Sequence, residues 1–158
     1  MANQPVWNPS DKDSGCTLSN SNKTAAQAAS NAGSVRSTTS LSAGKWYIEV
    51  DLRGTAAINS DRHRCGVANA SAGIGGAAGD DANAWVIQGN GQKRTGNSAT
   101  AYGDTIDTPL RIAIDLDNGK IWFGESTSTW FNSGDPAAGT NAAFTGLSGA
   151  LFLIFGGS

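Results

Sequence analysis

The chain has 158 residues, of which 15% are charged, and its formal net charge is −2. At this length about 70% of the unfolded surface can be buried around one core, so we predict a single domain over residues 1–158. A weakly acidic chain lacks the positive field on which nucleic-acid binding depends, and we expect no nucleic-acid partner. The 21 glycines, accompanied by many Ala, Ser, Thr and Asn residues, disfavour a helical bundle.

Taken in chain order, the first clear strand is predicted at 45–52, where Trp46, Ile48, Val50 and Leu52 alternate with other residues. We expect Trp46 on the core face of this strand. Shorter strands are predicted at 34–40, 64–68, 84–88 and 150–155, and loops at 70–83 and 124–141. Short strands separated by such turns are typical of an all-β sandwich or barrel.

The strongest local pattern is a hairpin around Asn118-Gly119, the dipeptide most typical of a two-residue type I′ turn. That turn sets a register in which these pairs are opposite: Asp117 and Lys120, Leu116 and Ile121, Asp115 and Trp122, Ile114 and Phe123. The core face then carries Ile112, Ile114, Leu116, Ile121 and Phe123. We expect Asp115, Asp117, Lys120 and Trp122 on the outer face, with the three charged residues exposed to solvent.

Cys16 and Cys65 are too few for a disulfide framework, and neither has the C-x-x-C spacing of a metal site. We predict free thiols, although the sequence leaves a disulfide between the two open. The N-terminus lacks the charged-then-apolar order of a signal peptide, and the apolar run at 151–155 is too short to span a bilayer. We therefore expect a soluble chain without membrane insertion.

Residue types that carry catalysis are present, but not in the patterns that catalysis needs. His63 and Cys65 would face the same way on a strand, as a nucleophile pair requires, yet an imidazole beside a small buried thiol is the simpler interpretation. Glycoside hydrolysis needs one carboxyl pKa raised by burial or by a like charge, and the pairs Asp115/Asp117 and Asp11/Asp13 are not placed for that. We predict no enzymatic activity.

A calcium site could be drawn from Asp80, Asp81 and Asn83, which supply three oxygen ligands in a Gly-rich loop. The EF-hand spacing is absent, and ordinary loop polarity explains these residues as well. We therefore predict no metal site and no cofactor.

Three segments follow one another in a distinctive order. They are W-N-P-S-D-K at 7–12 followed by T-L-S-N at 17–20, G-K-W-Y-I-E-V at 44–50, and D-L-D-N-G-K-I-W-F at 115–123 with G-V-A upstream at 66–68. Together they resemble the SPRY (B30.2-like) domain, in the version found in tail and other virion proteins of bacteriophages and in prophage regions. The resemblance implies a bent antiparallel β-sandwich, a concanavalin-like jelly roll, whose loops bind partners and which has no catalytic machinery.

The C-terminal end departs from that family pattern. Residues 1–16 match as an N-terminal segment, but the last strand of the family is missing or shortened after 151–155. We expect either that 151–155 supplies this strand or that a neighbouring chain completes the sheet. An unpaired edge invites strand addition, so we expect an oligomer or a place in a larger assembly.

Five loop residues are the candidates for a binding surface. Tryptophan and tyrosine are common at interfaces because they combine a large apolar face with a polar tip. By resemblance and expected exposure, the candidates are Trp85, Tyr102, Trp130, Asn132 and Asp135.

These observations predict a non-enzymatic bacteriophage virion protein, assembled in the host cytoplasm, that decorates the capsid or tail or binds a host-surface receptor. Its partners would be other virion proteins, a host-surface glycan or a host-surface protein. The alternative is an intracellular SPRY-type adaptor that binds peptides. A glycan-active enzyme is a second alternative, for which a convincing acid and base are missing.

Overall fold

The computed structural model describes residues 5–28, 32–53, 61–125 and 129–157, and the regular secondary structure in these ranges is almost entirely β-strand. The strands are β1 (Trp7–Lys12), β2 (Cys16–Ser19), β3 (Thr24–Gln27), β4 (Gly33–Leu41), β5 (Lys45–Val50), β6 (Arg64–Ala68), β7 (Ala84–Gln88), β8 (Gln92–Thr95), β9 (Ser98–Ala101), β10 (Leu110–Asp115), β11 (Lys120–Gly124), β12 (Phe144–Thr145) and β13 (Leu151–Gly157). A short 3-10 turn covers Phe131–Ser133. No helix in the described ranges has the length and hydrophobicity needed to cross a membrane.

The strands form two larger antiparallel sheets and a separate β2–β3 ribbon. The larger sheet has seven strands in the order β1-β4-β13-β6-β7-β8-β9, and the smaller has four in the order β12-β11-β10-β5. Both sheets contribute to one buried cluster, with Ile112, Ile121 and Phe123 from the smaller and Val67 and Ile87 from the larger. The predicted all-β antiparallel sandwich is confirmed.

Four of the short strands predicted from sequence are present close to their expected positions. Strands β6 and β7 coincide with the predicted ranges, and β4 and β13 extend slightly beyond theirs. The strands that the sequence did not indicate are β1, β2, β3, β8, β9 and β12, which are short or polar. The alternation of apolar and polar residues is weak in these six strands, because most of their side chains are only partly buried or exposed.

The β10–β11 hairpin is present, but its turn differs from the prediction. Asp115 pairs with Lys120 and Ile114 with Ile121, so four residues, 116–119, form the loop instead of two. Since the register differs by two residues, every side chain keeps its predicted face. Ile112, Ile114, Ile121 and Phe123 are buried as expected, while Leu116 packs against the core from the loop.

Asp115, which was expected at the surface of this hairpin, is buried. Asp115 is only 5% exposed, and its carboxylate accepts hydrogen bonds from the backbone and side-chain nitrogens of Asn118 at 3.1 and 2.9 Å. The prediction that Asp115 is a surface residue is therefore wrong, because the carboxylate closes the four-residue loop. Trp122 does lie on the outer face, but it is fully buried there. Asp117 is exposed, as predicted.

Trp46 shows the opposite deviation, since the expected core residue is 44% exposed. The alternation of its strand is otherwise as predicted: Ile48 and Val50 pack against the core. β5 is the outermost strand of its sheet, so Trp46 has a neighbouring strand on one side only. The indole nitrogen donates to the Ala43 carbonyl at 2.9 Å, which directs the ring along the strand end.

The C-terminal strand lies in the middle of the larger sheet. β13 pairs with β4 on one side and with β6 on the other, so the first alternative is correct: residues 151–155 supply the last strand, and no unpaired edge is left at this end. Gly156 and Gly157 allow this placement, because a Cβ atom at either position would collide with Ser34 or with the Arg62 carbonyl. The open edges of the sandwich are therefore elsewhere.

We predict that Asp115→Ala lowers the melting temperature clearly more than Asp117→Ala does. Asp115 is buried and accepts two hydrogen bonds from Asn118, whereas the exposed Asp117 accepts one from the Gly44 backbone at 2.9 Å. Removing Asp115 takes away two partly buried hydrogen bonds that close the loop, which costs more than losing one exposed contact. Thermal unfolding followed by circular dichroism checks this. Equal losses in the two variants would contradict the four-residue loop.

Candidate binding surface

The outer face of the four-stranded sheet is largely covered by one loop. Side chains of Tyr47, Ala113 and Trp122 lie side by side on this face, because their strands pair in register. The loop 129–141 crosses over Trp122, whose indole nitrogen donates to the Thr140 carbonyl at 2.7 Å. Lys120 also reaches the loop and donates to the Gly139 carbonyl at 2.8 Å. The loop is thus attached to the sheet at its C-terminal part.

The loop carries its own internal hydrogen bonds. Backbone bonds join Asp135 and Thr140 in both directions, at 3.1 and 3.0 Å. The Asp135 carboxylate accepts from the backbone nitrogens of Ala137 and Ala138 at 2.9 and 3.0 Å. Asn132 adopts a left-handed conformation with φ of 54°, a geometry that asparagine tolerates better than most residues. These contacts give the loop a defined shape.

A cluster of Tyr47, Arg111 and Trp130 lies where the loop leaves the sheet. The Arg111 guanidinium is 4.6 Å from the centre of the Trp130 ring and 5.7 Å from that of Tyr47. Its Nε donates to the Tyr47 hydroxyl at 3.0 Å, and that hydroxyl donates to Glu49 at 2.6 Å. The two rings meet edge to face at 6.4 Å. Arg111 therefore holds both aromatic rings in place through cation–π contacts.

Trp130 separates two shallow depressions and lines both of them. The first, of about 330 Å³, is bounded mainly by apolar side chains, including Trp46, Tyr47, Ala113, Pro136 and Ala137. The second, of about 650 Å³, is polar and is bounded by Asp104, Glu125, Asn132 and Asp135 among others. A half-buried tryptophan between an apolar and a polar depression is a suitable anchor for a partner.

Tyr102 supports the loop from beneath instead of forming part of its surface. It is 6% exposed, its hydroxyl donates to the Asn141 carbonyl at 3.0 Å, and its ring meets Phe131 edge to face. Burial raises the pKa of the Tyr102 hydroxyl to about 12, so this group stays protonated. Its expected exposure is therefore not found, because the loop covers it.

The other predicted site residues separate into two groups. Trp130, Asn132 and Asp135 lie together on the loop, and all three border the second depression. Trp85 lies on β7 of the larger sheet, where it packs against the core opposite Val67. Tyr47 and Arg111 are surface contributors that the sequence did not indicate. They occupy alternate positions of strands, and no local pattern shows that a later loop folds beside them.

Three of the residues considered for catalysis and metal binding, Cys65, Asp80 and Asp81, are buried or hydrogen-bonded within the fold. Cys65 is fully buried, and burial raises its thiol pKa to about 12, far from the range of a reactive thiolate. Asp80 accepts from Arg64 at 2.7 Å and from Arg94 at 2.9 Å. Asp81 accepts from the backbone nitrogens of Gly73 and Asn83. Across the described part of the chain, no cluster of three or more His, Cys, Asp or Glu residues is arranged to hold a metal.

We predict that acid destabilises the fold through His63 before the carboxylates contribute. Burial lowers the pKa of His63 below its ordinary 6.5, and its Nδ1 is buried without a hydrogen-bond partner. The unfolded chain therefore binds this proton at a higher pH than the folded one, so stability falls as the pH drops below about 6.5. The carboxyl pKa values of Asp51 and Asp115 are lowered from 3.8, so they act only in stronger acid.

Thermal unfolding of the wild type and His63→Gln between about pH 7 and pH 5 checks this prediction. The wild type should lose stability over this range, and the variant should lose clearly less. An identical pH dependence in the two proteins would contradict the role of His63.

No family model and no curated protein sequence matches this chain. Among solved structures, the PSpry domain of TRIM65 matches with a TM-score of 0.73 at 15% identity, covering 97% of this chain and 84% of that one. The SPRY domain of human HERC1 matches with a TM-score of 0.68 at 13% identity, covering 96% and 89%. Stonustoxin matches with a TM-score of 0.69 at 18% identity over 97% of this chain, which spans only 25% of the toxin chain. The chain therefore has the fold of a SPRY domain.

Proposed function

We propose that this chain is a non-enzymatic protein-binding module that uses the Trp130 surface. We define this surface as the loop 129–141 together with Tyr47 and Arg111. The observation that carries the proposal is the position of Trp130, half-buried between the apolar and the polar depression. Two of the solved structures that are similar to this chain are SPRY domains. A SPRY-type sandwich with a loop of defined conformation is consistent with a binding role.

The composition of this surface matches that of energetic centres in protein interfaces. Tryptophan, tyrosine and arginine are the residue types most enriched among such centres. Arg111 packs against both Trp130 and Tyr47, so the three side chains are already oriented before a partner arrives. Binding then loses less side-chain entropy than it would if flexible residues had to be ordered.

The two depressions suggest what the partner presents. The apolar depression suits an aliphatic or aromatic side chain. The polar one is bounded by the acidic residues Asp104, Glu125 and Asp135 and suits a polar or basic group. A protein segment with an apolar residue followed by a basic one would fill both depressions across Trp130. This complementarity favours a protein over a neutral sugar as the partner.

We extend the proposal to a virion setting, in which the module decorates the capsid or tail of a bacteriophage or binds a host-surface receptor. This step rests on the sequence resemblance at 7–20, 44–50 and 115–123 and is independent of the fold comparison. Immunogold electron microscopy of particles, with an antibody against this chain, tests it. Label on capsid or tail supports the proposal, and unlabelled particles together with label in the host cytoplasm favour an adaptor role.

We predict that Trp130→Ala weakens partner binding at least about tenfold while the melting temperature stays within a few degrees, as expected for an interface anchor. Arg111→Lys keeps the charge but loses the planar stacking, so it should weaken binding to a smaller extent. The matched control is Thr100→Ala, an exposed residue of β9 in the other sheet.

Binding is measured by pull-down from particle and host lysates followed by interferometry with the captured protein, and a glycan array is run in parallel. Unchanged binding combined with a large loss of stability in Trp130→Ala would show that Trp130 is a core residue. Binding to the array alone would replace the protein partner with a glycan.

A further inference from the structure

Three of the four edges of the two larger sheets are protected against strand addition. β1 contains Pro9 and a register irregularity, β9 has four residues, and β12 has two. Proline, bulges, short length and charged side chains, lysine above all, are the usual means of protecting an edge. β5 has six residues and contains neither proline nor an irregularity in its pairing with β10. Two large exposed side chains, Trp46 and Tyr47, lie on it.

The backbone of β5 presents hydrogen-bonding groups to its open side at alternate residues. The Leu116 nitrogen donates to the Gly44 carbonyl, so Gly44, and by alternation Trp46 and Ile48, direct their backbone groups toward β10. The backbone groups of Lys45, Tyr47 and Glu49 therefore point outward. Within the described ranges these outward groups have no hydrogen-bond partner.

We propose that β5 pairs with β5 of a second copy of this chain, antiparallel and centred on Tyr47. In this register Tyr47 is opposite Tyr47 of the second copy, and Lys45 is opposite its Glu49. All three outward residues then form hydrogen-bonded pairs, with two bonds each and about six in total. The contact is self-complementary, as a twofold dimer requires.

Charge complementarity favours this register and favours a second copy of the chain as the partner of β5. The pairing places Lys45 of one copy against Glu49 of the other twice, once on each side of the twofold axis. Centring on Lys45 or on Glu49 would place like charges opposite each other, which is unfavourable. The Lys45 side chain is 67% exposed and Glu49 is also exposed, so both can reach a partner.

The dimer would join two four-stranded sheets into one continuous sheet of eight strands. Its twofold axis would run perpendicular to the sheet, so both Trp130 surfaces would face the same side. This arrangement presents two binding surfaces to an array of ligands and increases avidity without any new ligand contact. This inference goes beyond the proposed function, because the pairing is inferred only from the features of the β5 edge.

Charge reversal tests the register. We expect wild-type protein to dimerise in analytical ultracentrifugation within about 1 μM to 1 mM, the affinity range of a small interface. Lys45→Glu and Glu49→Lys should each weaken association about tenfold or more, since each places like charges opposite each other twice. An equimolar mixture of the two variants should associate again, because every Lys then lies opposite a Glu.

Lys45 is 3.5 Å from Asp115, so Lys45→Glu also alters a contact within the fold. The mixture distinguishes this effect from a loss of pairing, because a damaged fold would not associate again on mixing. Lys23→Glu, which changes the net charge equally at an exposed turn, should associate like the wild type. Tyr47→Cys should form a disulfide-linked dimer on mild oxidation, since Cα atoms of a hydrogen-bonded pair lie about 5.5 Å apart. Glu49→Cys should not, because it is opposite Lys45.

A wild type that stays monomeric throughout this range, or variants that fail to associate on mixing, would overturn the pairing. Either result leaves the Trp130 surface untouched. Loss of partner binding in Trp130→Ala with intact dimerisation would in turn support the binding role alone.

Discussion

The hydrogen bond from the Trp122 indole to the Thr140 carbonyl, 2.7 Å long, is the contact on which the binding surface depends. Trp122 is fully buried on the outer face of its sheet, and a buried donor left without an acceptor costs about 1–3 kcal/mol. The loop 129–141 therefore stays over the indole. At the start of the loop, an antiparallel bridge joins Trp130 to Gly124, which pairs with Arg111, and this bridge places the half-buried Trp130 beside Arg111.

The sequence predicted the sandwich well, and it also predicted on which face of the sheet each side chain of the central hairpin lies. It predicted the hairpin turn less well. Alternation with a period of two determines which side chains share a face, but a register change of two residues leaves that pattern intact. The preference of Asn118-Gly119 for a two-residue turn was outweighed by the Asp115 carboxylate, which accepts two hydrogen bonds from Asn118. The burial of an acidic side chain by its own loop has no signature in apolar periodicity.

The positions of the candidate site residues were predicted in part, for a related reason. Trp130, Asn132 and Asp135 lie on a loop as predicted, because aromatic and polar residues without periodicity mark a loop, and loops commonly carry binding residues. Tyr47 and Arg111 were missed because they look like ordinary outer-face strand residues. The exposure of Trp46 was misjudged and the burial of Trp122 was not predicted, since each depends on whether a neighbouring strand or a distant loop covers it. Coverage of this kind is a long-range property of the fold.

Of the two alternatives predicted for the C-terminal end, the structure shows the one in which residues 151–155 supply the last strand. Glycine at 156 and 157 lets β13 lie between β4 and β6 without steric conflict, so the C-terminal strand has no open side. Among the described strands, the sheet edge that has no proline, no bulge and more than four residues is β5, and its charges differ from those of a protected edge. A strand that carries only lysine repels a copy of itself, whereas Lys45 and Glu49, spaced symmetrically about Tyr47, attract one. The same strand supplies Tyr47 to the Trp130 surface, so self-association and partner binding would meet at a single residue.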